Sequence, residues 1–490
     1  MSAKARAVRA ENVVDPRPVS VVAGHPVADA GGPEREILDP ARATVLARVP
    51  DAEPRHVEAA VAAARAVFEG GAWSTMPREE RGEALDAVAA RLREHREELA
   101  LLDSLNVGKP ISQARDDAGL AADSFAHAGR VIATLTDEVL RNDTEQLSLV
   151  VREPVGVVAA ITPWNFPVAI AASALAPALA AGNSVVHKPS PETPLSALRI
   201  AELAADLLPE GVLSVVSGGR TVGRALSADP EVDRVVFTGS TETGREIMRT
   251  AAADFKRLGL ELCGKSPTVV FDDAPFDAAV ASALARVALN QGENCSAGTR
   301  LLVQKSIYDR FVDALVQAAA RLTIGDPQDE SIDLGPLING RHLERVRDHM
   351  ASADREARAL HVGPVPTEPP LADGFFAPLS IWEAGPGTRL WRDEVFGPTL
   401  AVVPFRDEDD AVRLANDSPY GLMAVIWCGD RARGIRVGQR IRAGVIRINR
   451  AGMPVGAPWG GFKASGIGRG YGRYGIDASS EIKQINIDLG

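Results

Sequence analysis

From Val155 onward, short runs of β-branched residues alternate with alanine-rich helical segments. Predicted strands cover 155–161, 184–187, 212–216 and 234–237, with predicted helices at 171–181 and 196–207. The alternation resumes after Glu261, with strands at 266–271 and 300–303 and helices at 277–289 and 307–322. This rhythm is typical of a parallel sheet wrapped by helices. We therefore predict an α/β chain with two parallel-sheet units.

Segments before Val155 supply the remaining elements but little chemistry. Helical periodicity covers 52–105 and 112–135, and 144–152 has the mixed character of a half-exposed strand. A chain of 490 residues is long enough for about three structural units. We interpret the N-terminal helices as scaffold.

Composition excludes several classes of protein. Hydrophobic residues make up 46% and charged residues 24%, which is ordinary for a soluble globular chain. The net charge of −11 argues against a nucleic-acid or anionic-membrane surface. Residues 1–18 lack the apolar core of a secretory signal, and prolines and asparagines interrupt the apolar stretch 155–186. A cytoplasmic protein without membrane spans is predicted.

Three cysteines, Cys263, Cys295 and Cys428, are too few and too scattered for a disulfide framework or a zinc site. No metal site is predicted. Cys295 lies in a turn, 291–298, that is rich in glycine and small residues, where backbone dipoles could lower the pKa of its thiol and a substrate could reach it. A single cysteine is more often a small buried hydrophobe. We interpret Cys263 and Cys428, whose neighbours are apolar residues or glycine, as core.

Two further motifs place polar side chains in apolar surroundings. Glu261 lies in the run 260–265 just before a strand, where burial should raise its pKa towards neutrality and make it a usable base. The alternative is an ion pair with Lys265 or another cation. Asn165 lies between Pro163 and Pro167, so its amide could be held rigidly as a donor to an oxyanion, or could simply satisfy backbone groups of the turn.

A third group of motifs suits a nucleotide. Lys188 ends a predicted parallel strand, where crevices for nucleotides usually form. Gly239 and Ser240 lie in a turn from strand to helix whose free N–H groups could receive a diphosphate. The segment 393–398 puts Glu394 near Phe396 at a turn. The sequence 470–475 matches the spacing of a dinucleotide-binding glycine motif but follows no convincing strand, so we discount it.

In this order, the motifs resemble those of the aldehyde dehydrogenase superfamily, whose members oxidise aldehydes to acids with NAD or NADP. The resemblance runs from about Ile37 to the C-terminus. It implies that Cys295 is the nucleophile and that Asn165, with the backbone N–H of Cys295, holds the oxyanion. It also implies that Glu261 activates water to hydrolyse the thioester, as in the hydrolytic, non-acylating members.

The resemblance extends to the cofactor. It implies that Lys188 binds the adenosine ribose, that Gly239 and Ser240 bind the diphosphate, and that Glu394 and Phe396 bind the nicotinamide ribose and its surroundings, with Trp164 lining the same crevice. NAD-preferring relatives often carry a glutamate three positions after the lysine, where this chain has Pro191. We expect NAD, with NADP left open.

Two other departures from the family pattern concern the catalytic groups. Gly470 stands where relatives often have a glutamate that is proposed to assist proton transfer, and Cys263 replaces a glycine of the base motif. For Cys263 a packing role is favoured over oxidation with Cys295.

The resemblance implies a substrate pocket that is lined by side chains of modest size and by one wide aromatic ring. No cationic cluster for a second carboxylate and no acidic box for a trimethylammonium group are visible in the sequence. An open apolar tunnel for medium aliphatic or aromatic aldehydes is therefore expected. Its predicted residues are Ile170, Ser173, Asn294, Met453 and Trp459.

By the same resemblance, the fold has two Rossmann-like domains and a small β oligomerisation arm. The predicted NAD(P)-binding domain comprises 1–126 and 150–263, the catalytic domain 264–445, and the arm 127–149 with 475–490. Such arms exchange strands between subunits, so a homodimer or homotetramer is expected. Two alternatives stay open, namely a coenzyme A-acylating dehydrogenase and a non-catalytic relative with a structural or binding role.

Overall fold

Two helix-flanked sheets form the centre of the computed structural model, which describes residues 14–15, 19–27, 31–141, 145–450, 452 and 454–490. The strands, in chain order, are β1 (Val21–Val22), β2 (His25–Pro26), β3 (Glu34–Asp39), β4 (Thr44–Pro50), β5 (Glu138–Leu140), β6 (Gln146–Pro154), β7 (Val157–Ile161), β8 (Ser184–Lys188), β9 (Leu213–Val215), β10 (Arg234–Thr238), β11 (Arg257–Glu261), β12 (Pro267–Val270), β13 (Arg300–Gln304), β14 (Arg358–Val362), β15 (Ser380–Glu383), β16 (Thr399–Phe405), β17 (Tyr420–Gly421), β18 (Met423–Trp427), β19 (Val445–Ile448), β20 (Phe462–Lys463), β21 (Gly466–Ile467) and β22 (Ser480–Asp488). The helices are α1 (Pro54–Glu69), α2 (Arg78–Glu94), α3 (Arg96–Val107), α4 (Ile111–Thr134), α5 (Pro167–Ala181), α6 (Leu195–Ala204), α7 (Arg220–Ala228), α8 (Thr241–Ala251), α9 (Phe276–Ala288), α10 (Tyr308–Ala319), α11 (Gly340–Glu356), α12 (Arg389–Arg392), α13 (Glu408–Asn416), α14 (Arg431–Arg440) and α15 (Gly472–Ala478).

The first sheet has eight strands in the order β2-β1-β9-β8-β7-β10-β11-β21. Its five central strands, β9 to β11 in that order, run parallel, and β1 and β21 join antiparallel at the two sides. Every residue of β7 and β8 is buried, because helices cover both faces of the sheet. The parallel sheet predicted from the β-branched runs after Val155 is confirmed.

The second sheet has seven strands in the order β14-β15-β16-β13-β12-β18-β19. Six of them run parallel, and β14 joins antiparallel at one edge. Helices α9 and α10 pack together over one side of it. The second predicted α/β unit is therefore also present, and the α/β fold class is confirmed.

A separate three-stranded antiparallel sheet, β22-β6-β5, corresponds to the predicted arm. Residues 127–134, which were assigned to the arm, instead end helix α4, and Ala128 and Ile132 lie in the core beside the first sheet. The helix keeps its buried face as far as Ile132, so these residues pack with the core. Strand β6 also extends beyond residue 149, to Pro154. The division into domains stays a prediction.

Within the described residues, no helix is long and apolar enough to cross a membrane. The apolar stretch 155–186 forms strand β7, helix α5 and most of strand β8, as its prolines and asparagines predicted. All three cysteines are free thiols. No group of three or more histidine, cysteine, aspartate and glutamate side chains that could hold a metal ion occurs among the described residues.

Candidate active site

A cavity of about 620 Å³ opens where the parallel strands of the first sheet end. Cys295, Glu261 and Asn165 all line it, although they are far apart in sequence. Glu261 is the last residue of β11, and Asn165 follows β7. Carboxyl ends of parallel strands meet at one edge of a sheet, and loops there commonly form ligand sites. The structure therefore brings together the three residues that the sequence predicted as catalytic.

The backbone around Cys295 is tightly held. Asn290, in a left-handed conformation with φ 49°, donates its side-chain amide to the carbonyl oxygens of Asn165 at 2.8 Å and Glu293 at 3.0 Å. A Cβ on Gly264 would lie only 2.1 Å from the carbonyl oxygen of Cys295, so no other residue fits at that position. These contacts fix the turn that carries the thiol.

Burial raises the pKa of the Cys295 thiol well above its usual range, and the nearby carboxylates of Glu394 and Glu261 raise it further. The prediction of a lowered pKa is wrong, because a backbone hydrogen bond does lower the pKa of the thiol but burial and the acidic neighbours outweigh it. The turn is enclosed, and its charged neighbours are acids rather than cations. In this state the thiol is protonated at neutral pH, so its attack on a carbonyl requires a base.

Glu261 has the properties expected of such a base. Burial raises the pKa of its carboxyl to about 8, as the sequence predicted, while Trp459 and Arg469 oppose the shift. The alternative pairing with Lys265 is not formed, since the amine of Lys265 is buried without a hydrogen-bond partner among the described residues. Burial also lowers the pKa of Lys265 to about 7.

The side chain of Asn165 is buried and directed at the Cys295 turn. Its Nδ2 donates to the carbonyl oxygen of Glu293 at 2.9 Å, which uses one of the two amide hydrogens. Pro167 begins helix α5 directly after it, and the N–H of Val168 donates to Asp103 at 3.1 Å. The amide is therefore fixed within the turn that carries the thiol.

A second cavity, of about 360 Å³, shares Trp164, Gly239 and Ser240 with the first and also contains Lys188. Ser240 caps helix α8 by accepting the N–H of Thr243 at 3.2 Å. A Cβ on Gly239 would lie 2.5 Å from the Phe237 ring, so the turn needs glycine and leaves its backbone open to a ligand. This donor set fits a dinucleotide, with a helix N-terminus for a diphosphate and a lysine beyond it.

Lys188 ends strand β8 and is almost fully buried. Its Nζ donates to the carbonyl oxygen of Pro189 at 2.8 Å, and burial lowers its pKa to about 8. The carboxylate of Glu192 lies 3.4 Å from the amide of Asn339 and 3.5 Å from Arg341. Pro191 lines both cavities.

Glu394, Phe396 and Trp164 also line the large cavity. Glu394 Oε1 accepts the N–H of Gly264 at 2.8 Å, which ties the carboxylate to the segment that follows the base. The rings of Trp164 and Phe396 meet edge to face at 5.3 Å, and His342 meets Trp164 at 5.4 Å. His342 Nε2 also lies 2.7 Å from the carbonyl oxygen of Phe396.

Cys263 is not a core residue, contrary to the prediction. It is partly exposed and lines the same cavity as Cys295, and its thiol interacts with the carboxylate of Glu394. Cys263 and Glu261 are two residues apart, and alternation along an extended segment turns both towards the same side. Cys428 is fully buried, as predicted.

The predicted pocket residues are not brought together around the large cavity, and neither Ile170, Ser173, Asn294 nor Trp459 lines it. Ser173 borders a small cavity of about 10 Å³ with Tyr471, whereas Trp459 borders another of about 280 Å³. Met453 lies outside the described residues. The wide tunnel expected from the resemblance is not apparent in these two cavities.

Sequence reasoning missed two parts of the crevice. Gly219 begins helix α7 and lines the smaller cavity; the pair Gly218-Gly219 after a β-run was the available signal. His342 lies within helix α11, where a single histidine in an amphipathic pattern gives no signal. Burial lowers the pKa of His342 to about 4, so its ring is neutral.

Comparisons with known proteins agree on one family. The model of the Aldehyde dehydrogenase family matches residues 27–485. NADP/NAD-dependent aldehyde dehydrogenase PuuC of Escherichia coli (strain K12) is 40% identical over 462 residues, which cover 93% of this chain and 92% of PuuC. Betaine aldehyde dehydrogenase of Staphylococcus aureus, solved with NAD+, superposes with a TM-score of 0.94 at 36% identity and covers 98% of this chain and 97% of its own. A mutant of indole-3-acetaldehyde dehydrogenase AldA from P. syringae, solved with NAD+ and IAA, superposes with a TM-score of 0.95 at 39% identity. The match covers 98% of both chains.

Proposed function

The chain belongs to the aldehyde dehydrogenase family, and on that premise we propose that it oxidises a medium aliphatic or aromatic aldehyde to the free carboxylic acid. Oxidation of an aldehyde with NAD(P)+ is the activity of the family, and the finer proposal concerns the product and the substrate. The observation that carries it is the single cavity that contains Cys295, Glu261 and Asn165. A thiol, a base and an amide donor are the groups that acyl transfer through a thioester requires.

In the first half of the reaction, the sulfur of Cys295 forms a bond to the aldehyde carbon and its thiol proton leaves. Glu261, with a pKa of about 8, is the neighbouring carboxylate that can take the proton. The amide of Asn165 and the backbone N–H of Cys295 donate to the oxyanion of the thiohemiacetal. NAD(P)+, when bound, accepts the hydride that leaves this carbon.

The second half of the reaction releases the acid. Glu261 first releases the thiol proton to solvent and then takes a proton from water. The hydroxide forms a bond to the thioester carbon, and the bond from carbon to the sulfur of Cys295 breaks. The sulfur regains a proton and the carboxylic acid leaves. Aldehyde, water and oxidised cofactor are thus converted to acid, reduced cofactor and one proton.

For the cofactor, the residues that would hold it are Lys188 at the adenosine ribose, Gly239 and Ser240 at the diphosphate, and Glu394 and Phe396 at the nicotinamide ribose, beside Trp164. Pro191 offers no carboxylate to repel a 2′-phosphate, and Glu192 is engaged with Asn339 and Arg341. Both features support use of NADP+ as well as NAD+.

We expect purified protein to produce free acid from medium aliphatic and aromatic aldehydes with either NAD+ or NADP+. The acid should appear in one-to-one ratio with reduced cofactor, and added coenzyme A should change neither rate nor product. Chromatography of the products measures the acid, and absorbance measures the reduced cofactor. An acyl-coenzyme A product would instead indicate an acylating dehydrogenase. Absence of both products in the presence of bound cofactor would favour the non-catalytic alternative.

A homodimer or homotetramer is proposed from the exposed arm. Strand β22 pairs along its whole length with β6 and leaves its other edge open, and Ile482, Ile485 and Ile487 on it are exposed. An open edge of nine residues that carries three exposed isoleucines is a pairing surface for another chain. Light scattering during size-exclusion chromatography should give a mass of two or four chains. We expect Ile485→Lys to lower that mass, whereas a wild-type monomer would refute the proposal.

A further inference from the structure

The carboxylate of Glu261 rests against a residue that has no side chain. A Cβ on Gly470 would lie 3.0 Å from Glu261 Oε1, which is closer than nearly all such contacts in proteins. Gly470 is itself fixed by a reciprocal backbone pair with Trp459, whose N–H···O distances are 2.8 and 3.1 Å. Glycine at this position therefore decides where the carboxylate can lie.

Trp459 supplies the second contact. Its indole lies close enough to Glu261 for the N–H to lower the pKa of that carboxyl. The ring is 8% exposed and packs with Leu422 and Met423 in a cluster that also contacts Cys295. On another side, Tyr471 meets it at 6.5 Å with an interplanar angle of 64°. A ring held from two sides presents its N–H in one direction.

We infer that Trp459 is a positioning residue. Its indole N–H, together with the absence of a side chain at Gly470, holds the Glu261 carboxylate beside the Cys295 turn. The inference rests on the proposed function, because it takes Glu261 to be the base of the thioester hydrolysis. It assigns to Trp459 a role beyond the aldehyde pocket in which the sequence placed it.

Other groups also interact electrostatically with the Glu261 carboxyl, and they are unchanged in a Trp459 variant. Arg469, just before Gly470, is the cation whose charge lowers the pKa of the carboxyl. Cys295 and Tyr471 are the neighbours whose own pKa values Glu261 raises. A shift observed in a Trp459 variant can therefore be assigned to the lost N–H.

The test is Trp459→Phe, which keeps an aromatic ring and removes the N–H. The donor stabilises the charged carboxylate, so its loss should raise the pKa of Glu261 and move the acid limb of kcat upward by about one pH unit. The first-turnover burst of reduced cofactor should persist, since it precedes hydrolysis. Trp427→Phe is the matched control, because Trp427 is buried in β18 and its indole N–H has no partner among the described residues.

Gly470→Ala changes the other residue that contacts the Glu261 carboxylate. It serves as the test of the inference if Trp459→Phe does not fold. Its methyl group would crowd Glu261 Oε1. The midpoint of the acid limb of the kcat profile should again move to higher pH, and the first-turnover burst of reduced cofactor should be retained. An unmoved midpoint in the folded variants, with only KM changed, would overturn the inference and leave Trp459 as a pocket residue. Glu261→Gln separates the two proposals: if it hydrolyses the thioester at the wild-type rate, the assignment of the base fails, and the inference fails with it.

Discussion

Cys295→Ala is expected to abolish the formation of reduced cofactor, with a loss in kcat of roughly 10⁴-fold or more, as when other enzymes lose their nucleophile. No other described thiol can replace it. Cys428 is buried directly after β18, and the thiol of Cys263 interacts with the carboxylate of Glu394. Without the sulfur no thiohemiacetal forms, so no hydride becomes available. Stopped-flow absorbance of the reduced cofactor measures the burst and the steady rate together.

Cys428→Ala is the control for this variant, since it removes a buried thiol of the same size remote from the cavity. We expect its kcat to equal that of the wild type, with only thermal stability slightly lowered. Cofactor titration by fluorescence should show that Cys295→Ala still binds. A variant that binds cofactor and retains turnover would remove Cys295 from the mechanism.

Glu261→Gln is expected to slow the first burst of reduced cofactor, because the thiol of Cys295 loses its neighbouring base, and then to stall after that one turnover. General base catalysis contributes about 10²- to 10⁴-fold, and kcat should fall by a factor in that range. Glutamine fills the same space but cannot take a proton from water, so the acyl-enzyme accumulates. Intact-protein mass spectrometry should find Cys295 acylated, with the mass increase of one acyl group per chain.

Glu344→Gln makes the same chemical change on the exposed face of helix α11, where the side chain is 70% exposed and pairs with Arg347. It should leave the burst and kcat unchanged. The wild type should also lose kcat as the pH falls below about 8, because protonation of Glu261 removes the base. Steady turnover by Glu261→Gln without acyl accumulation would contradict the assignment.

The sequence was sufficient to predict the sheets and the three groups in the cavity. Buried parallel strands leave uninterrupted runs such as 184–187, and their carboxyl ends then place Lys188 and Glu261 at one edge. Asn165 could be predicted because two prolines restrict the backbone on both sides of it. These features depend on local pattern and on the regular geometry of parallel sheets.

Other features depend on contacts between distant segments and could not be predicted. The pKa of Cys295 is raised first by burial and then by Glu394, a residue 99 positions away, whose approach no local motif reveals. His342 reaches the crevice from a helix whose surface pattern is ordinary. The boundary of the arm at residue 127 came from the resemblance, whereas the helical periodicity of 112–135 agrees with α4, which ends at Thr134.

Cys263 has a practical consequence for counting active sites with alkylating reagents. Two thiols share the cavity, and both are protonated at neutral pH, because burial raises the pKa of Cys263 to about 11 and that of Cys295 still further. Ionisation therefore does not distinguish the two thiols in their reaction with an alkylating reagent. Incorporation of one label per chain would not identify the nucleophile, and a titration that assumes a single reactive cysteine would overstate the active fraction. Peptide mapping, or labelling in a Cys263→Ser background, is needed before such a count has meaning.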